Sequence, residues 1–164
     1  MANRMDHEQI HDILVVGGGL SGMTSALALG KCGFQVVLTD RAPEAVMRRA
    51  DRDGRTTAIA ASGRAMFESL GLWDILRDEA EPILDIRVSD GESRRFLHYD
   101  HREVGDLPMG HIIENALLKQ ALFEAVRDHD SISYMPEMAI REFDGAPGHI
   151  AADFGDGGRL RARL

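Results

Sequence analysis

Several residue types that other protein classes depend on are scarce in this sequence. There is one cysteine, Cys32, so the chain forms no internal disulfide, which favours a reducing compartment. Lys and Arg number 19 against 27 Asp and Glu, and this acidic balance disfavours nucleic acid, whose binding needs positive charge. No apolar run approaches the ~20 residues of a membrane-spanning helix. Residues 1–11 also lack the apolar stretch of a secretory signal. These shortages favour a cytoplasmic protein that does not bind nucleic acid.

Apolar residues are plentiful enough for one packed domain. They make up 44% of the 164 residues, and charged residues make up 28%, which is typical of a globular chain. Residues 1–11 are polar and are expected to form a disordered tail. Cys32 falls among small residues at a predicted helix end, so it is interpreted as a small buried residue.

The first quarter of the sequence has the pattern of a βαβ unit. Residues 12–16 are nearly all apolar, as in a strand that is buried on both faces. A glycine-rich turn follows, and residues 23–31 are rich in the helix formers Ala, Leu and Met. Residues 34–40 form a second apolar run that ends at Asp40. Together these segments predict two parallel strands joined by a helix.

The turn carries the glycine spacing of a dinucleotide-binding motif. Gly17 permits the tight turn, Gly19 lets the backbone approach a pyrophosphate, and Gly22 lets the helix pack closely on the strand. Free amides at the helix N-terminus would face the phosphates. Asp40 comes eighteen residues after Gly22, where such motifs have an acid that binds a ribose and disfavours NADP. The motif therefore predicts a site for FAD or NAD.

The remaining segments predict a mixed sheet around this unit. Residues 41–57 are Arg-rich and irregular, and the strands after residue 136 are expected to turn at Asp144-Gly145 and around residues 156–158. The predicted fold class is α/β, a Rossmann-like FAD/NAD(P)-binding fold with a parallel sheet plus an antiparallel β-meander, incomplete at the C-terminus. The other predicted elements are helices over 58–70, 72–76 and 112–126, a hairpin of 83–89 with 94–99, and strands over 132–135, 137–143, 149–154 and 159–164.

Two histidine patterns could suggest a metal, and neither has the context that a metal site needs. His7, Glu8 and His11 match the spacing of a zinc-protease helix, but they lie in the polar tail with no marked third ligand. His98 and His101 form a single pair near a strand end. No metal is predicted, and no residue is marked as a catalytic acid or base.

Five segments, taken in order, resemble a known family. They are Gly17–Gly22, Asp40-Arg41, residues 53–60, Leu70-Gly71-Leu72-Trp73, and Ile113-Glu114-Asn115 with Leu118. They resemble the ubiquinone-biosynthesis hydroxylases, such as the 2-octaprenyl-6-methoxyphenol hydroxylases. These belong to the FAD-dependent aromatic monooxygenases of the para-hydroxybenzoate hydroxylase type. The resemblance spans residues 10–164, and the segment from residue 53 to 73 is its most specific part.

The resemblance implies roles for individual residues. Gly17, Gly19 and Gly22 would hold the FAD pyrophosphate, with the amides of Leu20 and Ser21 beside them. Asp40 would bind the adenosine ribose and Arg41 would lie by the adenine end. Arg55 would reach the phosphate or ribityl region through its planar fork of donors. Asn115 would contact the flavin side of FAD, with a helix cap as an equally weighted alternative.

The resemblance also implies an activity. The full-length protein would be an FAD-dependent monooxygenase that hydroxylates the ring of a polyprenylated phenol in ubiquinone biosynthesis, using oxygen and NADH or NADPH. Because this substrate is hydrophobic, we expect the protein to associate peripherally with the inner membrane face or to belong to a ubiquinone-synthesis complex. Residues 82–111 would begin the substrate-domain sheet. The family's later Asp-Gly and Gly-Asp motifs are not in this sequence, so residues 1–164 are expected to be an N-terminal part of the FAD-binding domain, inactive alone.

Two other readings of the residues remain open at this point. An NAD-binding oxidoreductase suits Asp40 equally well, although antiparallel strands replace the second half of a two-part Rossmann domain. A non-catalytic nucleotide-binding module is the third reading. It would bind ADP or AMP but neither flavin nor NAD.

Overall fold

The computed structural model describes residues 10–48, 54–91, 95–155 and 158–164. The chain divides into two compact units. Unit 1 takes in the described residues up to 48 and those from 119 onward, and unit 2 takes in those from 54 to 118. The second unit is therefore an insertion within the sequence of the first.

Unit 1 is built on a three-stranded parallel sheet. Strand β2 (Ile13–Val16) pairs with β3 (Val36–Thr39), and β3 pairs with β9 (Ile132–Met135), each in parallel register. Helix α1 (Leu20–Lys31) connects β2 to β3 and packs on the sheet through Met23, Ala26 and Leu27, which are fully buried. The predicted βαβ unit is confirmed, and β3 is buried along its whole length, as its apolar sequence indicates.

A second sheet in unit 1 is the predicted antiparallel meander. Strand β10 (Glu142–Ala146) pairs with β11 (His149–Asp153), and β11 pairs with β12 (Arg159–Ala162). Its inner face meets the parallel sheet in an apolar cluster that joins Val37 to Ala152, Phe154 and Leu160. The other face of the parallel sheet carries α1, so both faces of β3 are covered.

The two ends of the described chain meet in this unit. Strand β1 (Ile10–His11) pairs in parallel with β12, where a disordered tail through residue 11 was expected. Leu14 N then donates to Leu164 O over 2.8 Å. Residues 1–9, with two of the three members of the zinc-protease pattern, lie outside the described residues.

Unit 2 contains a three-stranded antiparallel sheet. Strand β4 (Thr56–Ala60) pairs along its length with β8 (Gly110–Glu114), and β5 (Glu81–Ile83) pairs on the other side of β8. Gly110 permits this pairing, because a Cβ there would lie 2.3 Å from Ile59 O. Helices α3 (Ala61–Ser69) and α4 (Trp73–Leu76) follow β4 and bury Phe67, Leu70, Leu72, Trp73 and Leu76.

A two-stranded hairpin in unit 2 has two unlike faces. Strands β6 (Asp85–Ser89) and β7 (Phe96–Asp100) pair in antiparallel register, which confirms the predicted hairpin. One face carries the exposed apolar pairs Ile86–Tyr99 and Val88–Leu97. On the other face His98 Nε2 lies 2.6 Å from Asp85 Oδ1, and Arg87 lies over the Phe96 ring.

Several predicted boundaries are wrong for one reason, which is strand pairing over long sequence separations. Residues 56–57 are predicted to be irregular, and residues 58–60 and 112–114 are predicted to begin helices, but they lie in β4 and β8, which pair with each other. Helix α5 therefore spans Asn115–Arg127 instead of starting at residue 112. A short helix, α2 (Glu44–Arg48), also lies within the segment that was predicted to be irregular.

Two smaller predictions also differ from the structure. The turn between β10 and β11 is Pro147-Gly148, with Gly148 at φ 81°, while Asp144 and Gly145 lie within β10. Proline followed by a glycine of positive φ suits a type II turn, which explains the position. Cys32 is exposed instead of buried, because it lies just past the end of α1.

His111 is a buried titratable group in unit 2. Its burial leads us to expect that acid destabilises the folded state. Its ring meets Trp73 edge-on at 4.9 Å between centroids, and Arg64 lies over the same indole at 5.3 Å. Burial lowers the pKa of His111, and the Arg64 charge lowers it further. The folded state therefore holds this histidine neutral, while the unfolded chain gains the proton near pH 6.5.

We expect the free energy of unfolding to fall as the pH drops below about 6.5, with a slope of at most about 1.4 kcal/mol per pH unit from His111. His11, whose pKa burial also lowers, adds to the loss. Urea unfolding at pH 7.5 and 5.5 would measure it. His111→Phe keeps a ring against Trp73 without a titrating group, so its pH dependence should be shallower than that of the wild type. Equal slopes in the two proteins would contradict the assignment.

Candidate functional site

The glycine turn links the end of β2 to the start of α1. Gly17 has φ 100°, a conformation that favours glycine, and its N–H donates to Thr39 O over 2.8 Å. A Cβ on Gly22 would lie 1.8 Å from Gly17 O, so only glycine allows α1 to sit this close to the turn. A Cβ on Gly17 or Gly19 would meet nothing within 4 Å, which leaves open space where a ligand could approach the backbone.

Asp40 follows the last residue of β3 and binds this turn through its side-chain carboxylate. Its Oδ2 accepts from Gly18 N at 2.6 Å, and its Oδ1 accepts from Ala42 N at 2.7 Å. Both carboxylate oxygens therefore hold backbone amides, and each retains a lone pair that could accept from a ribose hydroxyl. The acid predicted from spacing does lie beside the glycine motif.

Gly18 is a residue whose role the spacing rule does not reveal. It is buried, and a Cβ there would lie 3.2 Å from both Cβ and Oδ2 of Asp40 and 3.3 Å from Met47 Cε. Any side chain at residue 18 would thus press against the acid and against α2. Three consecutive glycines were the available signal, but the fingerprint uses only the first and third of them.

The N-terminus of α1 is suited to an anion. Its N-cap is Gly19, which makes no side-chain capping bond, and the first turn holds no acidic residue. The amides of Leu20 and Ser21 are among the donors that a helix leaves without intrahelical partners. Ser21 is exposed and Leu20 is half-buried. Open backbone and free amide donors together fit a pyrophosphate.

Tyr134 is a second residue near Asp40 that the sequence did not mark. Its ring packs edge-on against Phe123, with 5.5 Å between the centroids. Burial raises the pKa of the phenol to about 12, and the carboxylates of Asp40 and Glu44 contribute to the rise. Within the described residues its buried hydroxyl has no hydrogen-bond partner. The group therefore stays protonated at neutral pH.

Arg55 and Asn115 lie together in unit 2. Asn115 N donates to Arg55 O over 2.9 Å where β4 begins and α5 starts. Thr57, which the sequence did not single out, donates from Oγ1 to Asn115 Oδ1 over 2.5 Å. The predicted site residues thus form two groups, one in each unit, and Arg41 is exposed immediately after Asp40.

Other site types find little support in the described part of the chain. No group of three or more His, Cys, Asp or Glu side chains within it could hold a metal ion. His101 Nδ1 lies 3.1 Å from Leu84 O, and His98 contacts Asp85. Among the helices in the described residues, none is long and apolar enough to cross a bilayer.

A parallel sheet, a glycine turn clamped by an acid, and an open helix N-terminus define a Rossmann-type dinucleotide-binding domain. The family model described as the FAD binding domain matches residues 11–134. The chain therefore belongs to the FAD-binding domain family. FAD is the cofactor of this family, which favours it over NAD for the glycine motif.

Two curated relatives are similar over nearly the whole chain. Ubiquinone hydroxylase UbiL of Rhodospirillum rubrum is 39% identical over 161 residues, which cover 96% of this chain and 36% of that protein. Ubiquinone hydroxylase UbiM of Neisseria meningitidis is 32% identical over 158 residues, which cover 93% of this chain and 34% of that protein. The chain thus spans about a third of the length of these relatives.

A solved structure supports the fold. The p-nitrophenol 4-monooxygenase PnpA of Pseudomonas putida superposes with a TM-score of 0.72 at 23% identity, over 94% of this chain and 39% of that one. At this identity the likeness extends to the fold alone. It confirms the α/β class with parallel and antiparallel sheets.

Proposed function

We propose that this chain is the FAD-binding part of a monooxygenase that hydroxylates the aromatic ring of a polyprenylated phenol in ubiquinone biosynthesis. The observation that carries the proposal is the glycine turn fixed by Asp40, in a chain that is 39% identical to a ubiquinone hydroxylase. Oxygen and NADH or NADPH are the proposed co-substrates.

Unit 1 is proposed to hold the adenosine and pyrophosphate parts of FAD. Gly17, Gly19 and Gly22 keep the backbone open to the pyrophosphate, and the amides of Leu20 and Ser21 donate to its oxygens. Asp40 accepts from ribose hydroxyls with the lone pairs that its backbone contacts leave over. Arg41, which is exposed next to this acid, is proposed to lie by the adenine.

Unit 2 is proposed to hold the flavin side. Arg55 donates its planar fork to a phosphate or to ribityl oxygens. Asn115 contacts the flavin from the start of α5. These residues bind and orient the cofactor, and none of them is proposed as a catalytic acid or base. FAD supplies the redox chemistry, and the protein supplies binding and shielding from water.

The hairpin of unit 2 is proposed to begin the substrate sheet, within residues 82–111. Its exposed apolar face of Ile86, Val88, Leu97 and Tyr99 suits an apolar substrate or the rest of such a sheet. A peripheral position on the inner membrane face and membership of a ubiquinone-synthesis complex are proposed from the chemistry of that substrate.

The test is made on the full-length protein that contains this chain. After loading with FAD and desalting, we expect a retained flavin absorption spectrum. A polyprenylated phenol should then stimulate NADH or NADPH oxidation and gain one oxygen atom, as mass spectrometry of the product would show. A protein that retains flavin but hydroxylates no such phenol would overturn the substrate. A protein that binds NAD, ADP or AMP but no flavin would overturn the cofactor.

A further inference from the structure

The hydroxyl of Thr57 holds the side-chain amide of Asn115. Thr57 Oγ1 donates to Asn115 Oδ1 over 2.5 Å, although the residues are 58 positions apart. Thr57 pairs with Ile113 across β4 and β8, and Asn115 follows directly after the end of β8, where its N–H still donates across to Arg55 O, just before β4. Both side chains are half-buried. The contact is therefore a product of strand pairing.

This contact decides which end of the amide faces a ligand. A primary amide has one oxygen that accepts and an NH₂ group that donates twice. Because the bond turns the oxygen toward Thr57, the NH₂ group faces away from Thr57 and is the end that is presented to other partners. We infer that Thr57 is a positioning residue that presents the Asn115 NH₂ to acceptor atoms at the flavin end of FAD. The inference rests on the proposed function. It adds that Asn115 acts toward the cofactor as a hydrogen-bond donor.

The same geometry weighs against a capping role for Asn115. A capping asparagine uses its side-chain oxygen to accept from an amide in the first helical turn, and it stands just before the helix. Asn115 is already the first residue of α5, and its oxygen accepts from Thr57. The bond to Thr57 therefore gives the amide oxygen a partner outside the helix.

The experiment measures the Kd for FAD of the full-length apoprotein by quenching of flavin fluorescence. Thr57→Val keeps the shape and removes the hydroxyl, so we expect the Kd to rise about tenfold, the effect of one well-placed hydrogen bond. Thr57→Ser keeps the hydroxyl and should stay within about twofold of wild type. Thr56→Val is the matched control, because Thr56 is exposed and points to the opposite face of β4.

Variants of Asn115 test the polarity. Asn115→Asp still accepts from Thr57 but offers no donor, so it should bind FAD as weakly as Asn115→Ala. In the Asn115→Ala background, Thr57→Val should cause no further loss. The absorption bands of bound flavin should shift in Thr57→Val and return in Thr57→Ser.

The outcomes separate this inference from the proposed function. If the wild type binds FAD and Thr57→Val binds equally well, the inference fails and the proposed function stands. If Thr57→Val loses the same affinity with or without Asn115, Thr57 does not act through Asn115, and the inference fails again. If the loaded wild type retains no flavin, both fail together.

Discussion

Replacing Gly22 by alanine will destabilise unit 1 and remove most of its affinity for FAD. The new Cβ would lie 1.8 Å from Gly17 O and 3.0 Å from its carbonyl carbon, and both atoms are backbone. No side-chain rotation relieves this clash, so α1 must move away from the turn. We expect a loss of about 3 kcal/mol in the free energy of unfolding. The Kd for FAD should rise roughly 100-fold. Urea unfolding and FAD titration of the full-length protein measure the two effects.

Gly19→Ala is the matched control within the same turn. A Cβ at Gly19 meets nothing within 4 Å, and its backbone angles of φ −71° and ψ −178° suit any residue. The free energy of unfolding should therefore change by less than about 1 kcal/mol. FAD binding should still weaken, because the added methyl occupies the space proposed for the pyrophosphate. If Gly22→Ala and Gly19→Ala have the same free energy of unfolding, the close approach of α1 to Gly17 is not a constraint on this fold.

Replacing Asp40 by alanine will weaken FAD binding roughly 100-fold. Both of its oxygens accept from backbone amides, at 2.6 Å from Gly18 N and 2.7 Å from Ala42 N. Since Gly18 is buried, its N–H would lose its partner away from water, at a cost of about 1.5–3 kcal/mol in stability. The proposed ribose contact is lost as well. FAD titration and urea unfolding of the variant check both effects.

Asp12→Ala separates the two contributions of Asp40. Asp12 also binds a backbone amide, because its Oδ2 accepts from Gln35 N at 3.0 Å, and its Oδ1 accepts from Arg163 at 3.1 Å. It lies at the start of β2 and β3, whereas Asp40 follows the end of β3. We expect a loss of stability with an unchanged Kd for FAD. If Asp12→Ala weakened FAD binding as much as Asp40→Ala, the effect at Asp40 would be general destabilisation.

The βαβ unit could be predicted from sequence because its signals are local. An apolar strand, closely spaced glycines and a helix-forming run lie within thirty residues of one another. The partner strands β4 and β8 could not be predicted in this way. Residues 58–60 and 112–114 have compositions that also suit a helix, and only their pairing across about 55 residues makes them strands. Gly110, which admits this pairing, has no local signature.

The candidate site likewise contains residues that the sequence predicts and residues that only the structure reveals. Gly17, Gly22 and Asp40 follow a spacing rule, and the structure places them together. Gly18 and Thr57 matter through contacts with Asp40 and Asn115, which lie 22 and 58 positions away. Such contacts depend on register between strands, which the alternation of apolar residues in one strand does not specify.

The bond between Leu14 and Leu164 bears on synthesis of the protein. Unit 1 uses both the beginning and the end of the described chain, and unit 2 is made in between. At ribosomal rates of about 5–20 residues per second, β2 waits roughly 8–30 s for residue 164 to be polymerised. Unit 2 has all its strands by residue 114 and can form during that interval. The apolar strands β2 and β3 therefore stay without the meander that packs on their sheet until the last residues of the described chain are made.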